Sequence, residues 1–134
     1  MSETNFNGFE IAIVGMACRF PDAVTPTAFW DNVFAGKDSI RPLNEEELEA
    51  AGQAGCVDQT DFVNSGSFLD DITQFDSQLF GYSARESDYI DPQHREFLHV
   101  AWEALEQSGY IVQKPDNRVG VFVGASAGSY FLHH

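Results

Sequence analysis

The sequence predicts an α/β fold, and three stretches carry that expectation. Glu10 to Gly15 (EIAIVG) and Arg118 to Gly124 (RVGVFVG) are apolar, rich in β-branched residues and end in glycine. That is the pattern of strands buried on both faces, as in a parallel sheet. Asp88 to Gly109 (DYIDPQHREFLHVAWEALEQSG) carries the strongest helical periodicity in the chain. A strand, a loop and a helix in succession open a βαβ unit.

Each element has its own reason. Residues 1–9 read as a short flexible lead before the first strand. MACRFPDA then forms a loop, with Pro21 as a breaker. Thr25 is placed to cap a helix that has Pro26 at its first position, where a missing N–H is harmless. Phe29, Trp30, Val33 and Phe34 give this helix an apolar stripe, and Gly36 can end it. Asn44 before EEELEAAG predicts a short acidic helix, with Glu47 reaching back in a capping box. GQAGCVDQTDFVNSG is turn-rich and expected on the surface, and Ser67 to Leu69 is expected to form a short strand. Phe75, Leu79 and Phe80 predict a further helix ending near Gly81, and SARESDYIDP leads into the long one.

In the long helix Asp91 is the cap, Pro92 the first position and Gly109 the left-handed terminator. Phe97, Ala101 and Leu105 recur at every fourth position, with Leu98 and Trp102 alongside. Such a stripe buries one face against a sheet. Periodicity leaves the opening IDPQHR unexplained: a turn needs Asp-Pro, but not the Gln93 and Arg95 that follow.

Bulk properties narrow the function. The chain has 134 residues, 43% hydrophobic and 13% aromatic, enough for one modest core. Seven Lys and Arg against 21 Asp and Glu give a formal net charge of −14. Such a chain repels nucleic acid and anionic membranes, so neither is expected as a partner. No apolar run approaches a membrane span, and the polar start lacks the pattern of a signal peptide. The two cysteines, Cys18 and Cys56, form no CxxC pair and fit a reducing cytoplasm. There are no internal repeats. Two central-type strands with three or four helices leave apolar faces short of partners, so the chain reads as the start of a larger α/β domain.

Several residues invite a chemical reading. Gly124-Ala125-Ser126-Ala127-Gly128 matches G-x-S-x-G after an apolar strand, the setting of a hydrolase nucleophile. The acid and histidine of such a triad would come later, and His133 and His134 lie too near Ser126 in sequence to fold back easily; a close-packed turn of small residues is the favoured reading. Cys18, with Arg19 beside it to lower its pKa, is a candidate nucleophile against the commoner role of a buried small side chain. Cys56 sits in acidic surroundings unsuited to a thiolate. His94 and His99 lack the spacing of a helical metal pair, so no metal site is expected. The carboxylates at 45–47, 49, 70, 71 and 76 form no acid/base pair and read as a solvated surface.

IAIVGMACRFP (11–21), FWDNVFAGKDSI (29–40), FDSQLFGYSARESDYIDPQHREFLHVAWEALEQSGY (75–110) and VGVFVGASAGSY (119–130) resemble the β-ketoacyl synthase (ketosynthase) domain of modular type I polyketide synthases, in that family's order and at about its spacing. The resemblance covers the chain from residue 10 onward, leaving 1–9 as the lead, and it is weakest over 41–65. It implies the N-terminal part of a thiolase-like fold, a truncated three-layer α/β/α half that is dimeric when complete. It implies decarboxylative Claisen condensation of an acyl thioester with a malonyl-type extender. The acyl groups would ride on the phosphopantetheine arm of an acyl carrier protein, with no cofactor bound directly. Acyl carrier protein and neighbouring polyketide synthase domains are the implied partners.

The family's catalytic cysteine and two histidines match no position here, so no catalytic residue is carried over and the isolated chain is expected to be inactive. Its unpartnered apolar strands and helix faces would make it unstable or sticky. Tyr130 and Phe131, in the turn after the second strand, are the expected substrate-binding residues, near an acyl pocket or a dimer contact. Two alternatives stay open: a truncated α/β-hydrolase using Ser126, and a non-catalytic ketosynthase-like interaction module.

Overall fold

A computed structural model describes residues 7–109, 118–126, 128 and 130. Two compact units divide the chain. One comprises residues 1–17 and 75–134, and the other residues 18–74. Four helices are assigned among the described residues: α1 (Pro26–Phe34), α2 (Glu45–Ala50), α3 (Ala84–Asp88) and α4 (Pro92–Ser108).

The 18–74 unit is built from polar clasps, most of them between near neighbours in sequence. Phe20 and Ala23 exchange both backbone hydrogen bonds across a tight turn, with Pro21 fixing the second position. Asp22 follows at φ 60°, a conformation that aspartate tolerates better than most side chains. The turn is pinned from outside. Arg19 Nη1 donates to the carbonyls of Cys18 and Val24, Asn32 Nδ2 donates to the Asp22 carbonyl, and Lys37 Nζ lies 3.3 Å from the Asp22 carboxylate. Hydrogen bonding by Ser39, then Lys37, holds that carboxyl below its usual range. The Phe20 ring packs on Phe29 of α1 with centroids 4.4 Å apart, and Ala23 is buried beneath.

The expected caps are present. Thr25 Oγ1 accepts from Ala28 N at the start of α1, and Asn44 with Glu47 forms the capping box of α2. A short 3-10 turn at Ala54–Cys56 follows α2. The strand expected at 67–69 is not formed. A single bridge pairs Arg41 with Gly66 instead, and the Asn64 amide donates to and accepts from the Leu43 backbone beside it. A side-chain amide supplies there what a second strand rung would have supplied.

The 75–134 unit with residues 7–17 is organised on α4. Asp91 Oδ1 accepts from Gln93 N, and Gly109 closes the helix at φ 65°. The helix expected at 75–81 is a run of turns. Asp76 Oδ1 accepts from Leu79 N, and the Tyr82 N–H returns to the Ser77 carbonyl, so local polar bonds displace the helical ladder. Phe75 and Phe80 stack on each other and meet His99, and Phe80 also meets Trp102 edge-on. Of the apolar stripe of α4, Trp102 thus meets a turn, while Phe97 stays exposed. Helix α3 goes beyond the elements expected from the sequence, although its Ser83–Glu86 capping box is legible as S-x-x-E.

The two expected strands are the main correction. Among the described residues no ladder forms at 10–15 or 118–124. Ile11 is 94% exposed and Phe122 96%. A parallel strand hidden on both faces needs neighbouring strands for its backbone groups and helices above and below. Neither segment has them here. Residues 11–15 run beside α4: Met16 N donates to Gln107 Oε1, and a Cβ on Gly15 would overlap the Ala104 carbonyl oxygen. Together with residues 118–120 they line an apolar cleft of about 720 Å³ over Ala104 and Leu105. No described helix is long and apolar enough to cross a membrane.

Candidate functional site

The best-defined polar cluster joins the start of α4 to residues 128 and 130. Asp91 is 7% exposed, the one buried charged side chain among the described residues. Its Oδ1 caps the helix. Its Oδ2 faces Gly128, where a Cβ would overlap that oxygen and come 3.2 Å from Gln93 Nε2. A side chain at 128 would require the Asp91 carboxylate to shift.

Arg95 then reaches in two directions: Nε donates to the Ile90 carbonyl at 2.9 Å and Nη2 to the Tyr130 hydroxyl at 3.2 Å. That hydroxyl donates in turn to the Asp88 carbonyl at 2.7 Å. The cluster thus ties residues 88–95 to the GASAGSY segment across 35 to 42 positions of sequence. This gives Asp91 and Arg95 of the polar IDPQHR opening a use. Asp91 and Gln93 meet the glycine, and Arg95 meets the tyrosine. The unexplained Gln93 and Arg95 are the signal in the sequence, but nothing there names their partners.

Tyr130, an expected substrate-binding residue, is half-buried with its hydroxyl engaged in this latch. Phe131, the other, lies outside the described residues, as do His133 and His134. Among the described residues, the hydrogen bonds of this latch run to other protein groups.

The remaining candidates are dispersed. Cys18 and Cys56 are free and half-buried. Arg19 directs its guanidinium at carbonyl oxygens, those of Cys18 and Val24. Ser126 is exposed, and among the described residues no hydrogen bond joins it to a histidine or carboxylate. His94 is exposed, whereas His99 is half-buried between the Phe75 and Phe80 rings with Glu96 Oε1 at 3.7 Å. Among the described residues no group of His, Cys, Asp and Glu is placed to hold a metal.

Comparison with known proteins gives this arrangement a context. Residues 9–134 match the family model described as "Beta-ketoacyl synthase, N-terminal domain". The chain is 42% identical over 125 residues to a phenolphthiocerol/phthiocerol polyketide synthase protein of Mycobacterium tuberculosis, covering 92% of this chain and 8% of that protein. It is 39% identical over 133 residues to the spectinabilin polyketide synthase system protein NorC of Streptomyces orinoci, covering 93% of this chain and 6% of that one. Among solved structures it is similar to ketosynthase twelve of the bacillaene polyketide synthase of Bacillus amyloliquefaciens, with a TM-score of 0.61 and 36% identity over 71% of this chain and 17% of that one. The described elements therefore have the fold of the N-terminal part of a ketosynthase, the thiolase-like α/β architecture. The chain spans less than a tenth of the curated relatives it matches here, and about a sixth of the solved ketosynthase. These likenesses favour a part of a condensing enzyme over a hydrolase built on Ser126 and over a free-standing binding module.

Proposed function

We propose, from the premise that this chain belongs to the β-ketoacyl synthase family and matches its N-terminal domain, that the protein it forms part of condenses acyl units into a polyketide. In that reaction an acyl group leaves a carrier protein's phosphopantetheine thiol for a cysteine thiolate. A malonyl-type extender then loses carbon dioxide, and the resulting carbanion attacks the acyl carbon, forming the carbon–carbon bond and releasing the cysteine. The family is one of condensing transferases; the carrier, the neighbouring synthase domains, a homodimer and a cytoplasmic location are part of this proposal.

Within this chain, residues 10–134 serve as the N-terminal segment of the ketosynthase and residues 1–9 as a lead. The proposed role of its residues is support. The observation that carries the reading is the family match over 9–134. In it, Cys18 falls in the opening MACRF stretch, which is structural by resemblance. The latch of Asp91, Arg95 and Tyr130 acts by positioning the segment 124–131, with Tyr130 and Phe131 near the acyl pocket or a dimer contact.

The test is acyl transfer in the full-length protein. Incubation with an acyl thioester and malonyl-loaded carrier protein yields a β-ketoacyl product, and peptide mapping finds the transient acyl group outside residues 1–134. Acylation of Cys18 or Cys56 at the rate of turnover would overturn the assignment. Tyr130→Phe shifts acyl-chain preference or the dimerisation constant; a variant unchanged in both removes Tyr130 from the proposal.

A further inference from the structure

The 18–74 unit carries a second feature, separate from the latch. Between α2 and the turn at 54–58 lies an open groove of about 660 Å³, with Leu43, Leu48 and Val57 forming its apolar floor and Glu45, Glu49 and Asp58 standing on its rim. Leu48 is buried, so the floor is fixed, whereas Val57 remains half exposed to solvent. The rim carboxylates are exposed, and among the described residues none of the three has a basic partner. Glu47, in the same short helix, shows the contrast. Arg41 neutralises it through both carboxylate oxygens, and the capping box occupies it as well.

The sequence around the groove deepens the imbalance. From Pro42 to Ala84 there is no Lys or Arg, while Glu45, Glu46, Glu47, Glu49, Asp58, Asp61, Asp70, Asp71 and Asp76 all fall within that span. Arg41 is thus the last cation before the run, and it is committed to Glu47. An apolar floor inside an unneutralised acidic rim is complementary to one kind of ligand surface, an apolar side chain flanked by cations. An anionic ligand, such as a phosphopantetheine arm or a nucleic acid, would meet only repulsion there.

We propose that this groove is a docking surface for a basic, leucine-containing peptide segment of a partner protein. The apolar side chain seats on Leu43, Leu48 and Val57, and the flanking Lys or Arg side chains pair with Glu45, Glu49 and Asp58. The floor supplies burial, and the rim supplies orientation and a salt-dependent on-rate. The inference does not depend on the condensing activity, since none of these residues belongs to the latch.

The probe is a short fluorescent peptide of alternating lysine and leucine, titrated by anisotropy against the full-length protein. The expected result is saturable binding that weakens as salt is raised. Joint substitution Glu45→Gln, Glu49→Gln, Asp58→Asn weakens it about tenfold, the scale of three exposed ion pairs. Val57→Ser also weakens binding, because it acts on the floor without touching charge. Asp70→Asn with Asp71→Asn, which removes the same kind of charge outside the groove, leaves it unchanged.

Three outcomes overturn the proposal. One is equal binding by the triple variant, and another is equal weakening by the Asp70 and Asp71 pair. The third is equal binding of a lysine–glycine peptide, which would reduce the effect to net charge. If the triple variant abolishes Mg2+ or Ca2+ binding while peptide binding is untouched, the groove is a cation site and the proposal also falls.

Discussion

The 18–74 unit is held mostly by bonds between near neighbours, the farthest joining Leu43 to Asn64 and Arg41 to Gly66, whereas the unit around α4 adds bonds that reach across 35 to 91 positions. In the first, Asn44 caps with Glu47, Thr25 with Ala28, and Phe20 pairs with Ala23. In the second, Met16 reaches Gln107, Gly15 touches Ala104, and Arg95 reaches Tyr130. Local bonds form wherever the chain has the right residue three positions on. Distant ones form only if the intervening elements have already folded into place. The two units should therefore respond differently to substitution, with damage confined in the first and propagated in the second.

The largest propagated effect is expected at Gly15. A side chain there meets the backbone of α4, which cannot rotate aside, so Gly15→Val should cost about 3 kcal/mol or more and loosen α4 as a whole. Denaturation of the full-length variant, with hydrogen exchange along 92–108, measures both. Exchange raised only at residues 11–16 would show that the contact is incidental.

Gly128→Ala comes next. Its methyl group would displace the Asp91 carboxylate and with it the cap on Gln93 N, a loss of about 1–2 kcal/mol. Asp91→Asn, which retains the capping oxygen, should be milder. If Gly128→Ala is neutral, the close approach to Asp91 is not a constraint.

Local chemistry is legible in the sequence and distant pairing is not, and particular residues show why. Thr25, Asn44, Asp91, Pro92 and Gly109 announce helix ends because a cap is satisfied within one turn. The same logic extends to α3, whose Ser83 and Glu86 stand three apart. Phe75, Leu79 and Phe80 mislead because their spacing fits a helix, while Asp76 and Ser77 offer the backbone better local partners. The runs at 10–15 and 118–124 have the composition of buried strands, yet strand pairing depends on neighbours that a single run cannot specify. The latch is half legible: Gln93 and Arg95 are conspicuous without a use, and their partners Gly128 and Tyr130 lie too far along the chain for any spacing rule.

In the locally held unit the expected effects are smaller. Asn44→Ala removes the α2 capping box and should cost about 1 kcal/mol, with faster exchange confined to residues 45–50. Exchange that spreads to α1 would blur the contrast between the units.

The smallest effect is one of pH. The Arg41 guanidinium, and then the Asn44 backbone N–H, hold the Glu47 carboxyl down to about 2 from an ordinary 4.5. A carboxyl depressed by folding contributes fully above its ordinary value, and that contribution is lost as pH falls through the folded value. The Glu47 side-chain carboxyl resonance should therefore hold its position at pH 4.5 and shift as pH approaches about 2. Arg41→Gln should move that transition upward. Because Glu47 is on the surface, added salt should also move it upward.

The most direct test of the account is a double-mutant cycle on the latch in the full-length protein, using Arg95→Met, Tyr130→Phe and the pair. If the start of α4 holds the GASAGSY segment through this bond, the two losses are not additive, and the coupling is about 0.5–1 kcal/mol or more. Additive losses would mean that Arg95 and Tyr130 act separately, and that the polar IDPQHR run does something other than hold Tyr130.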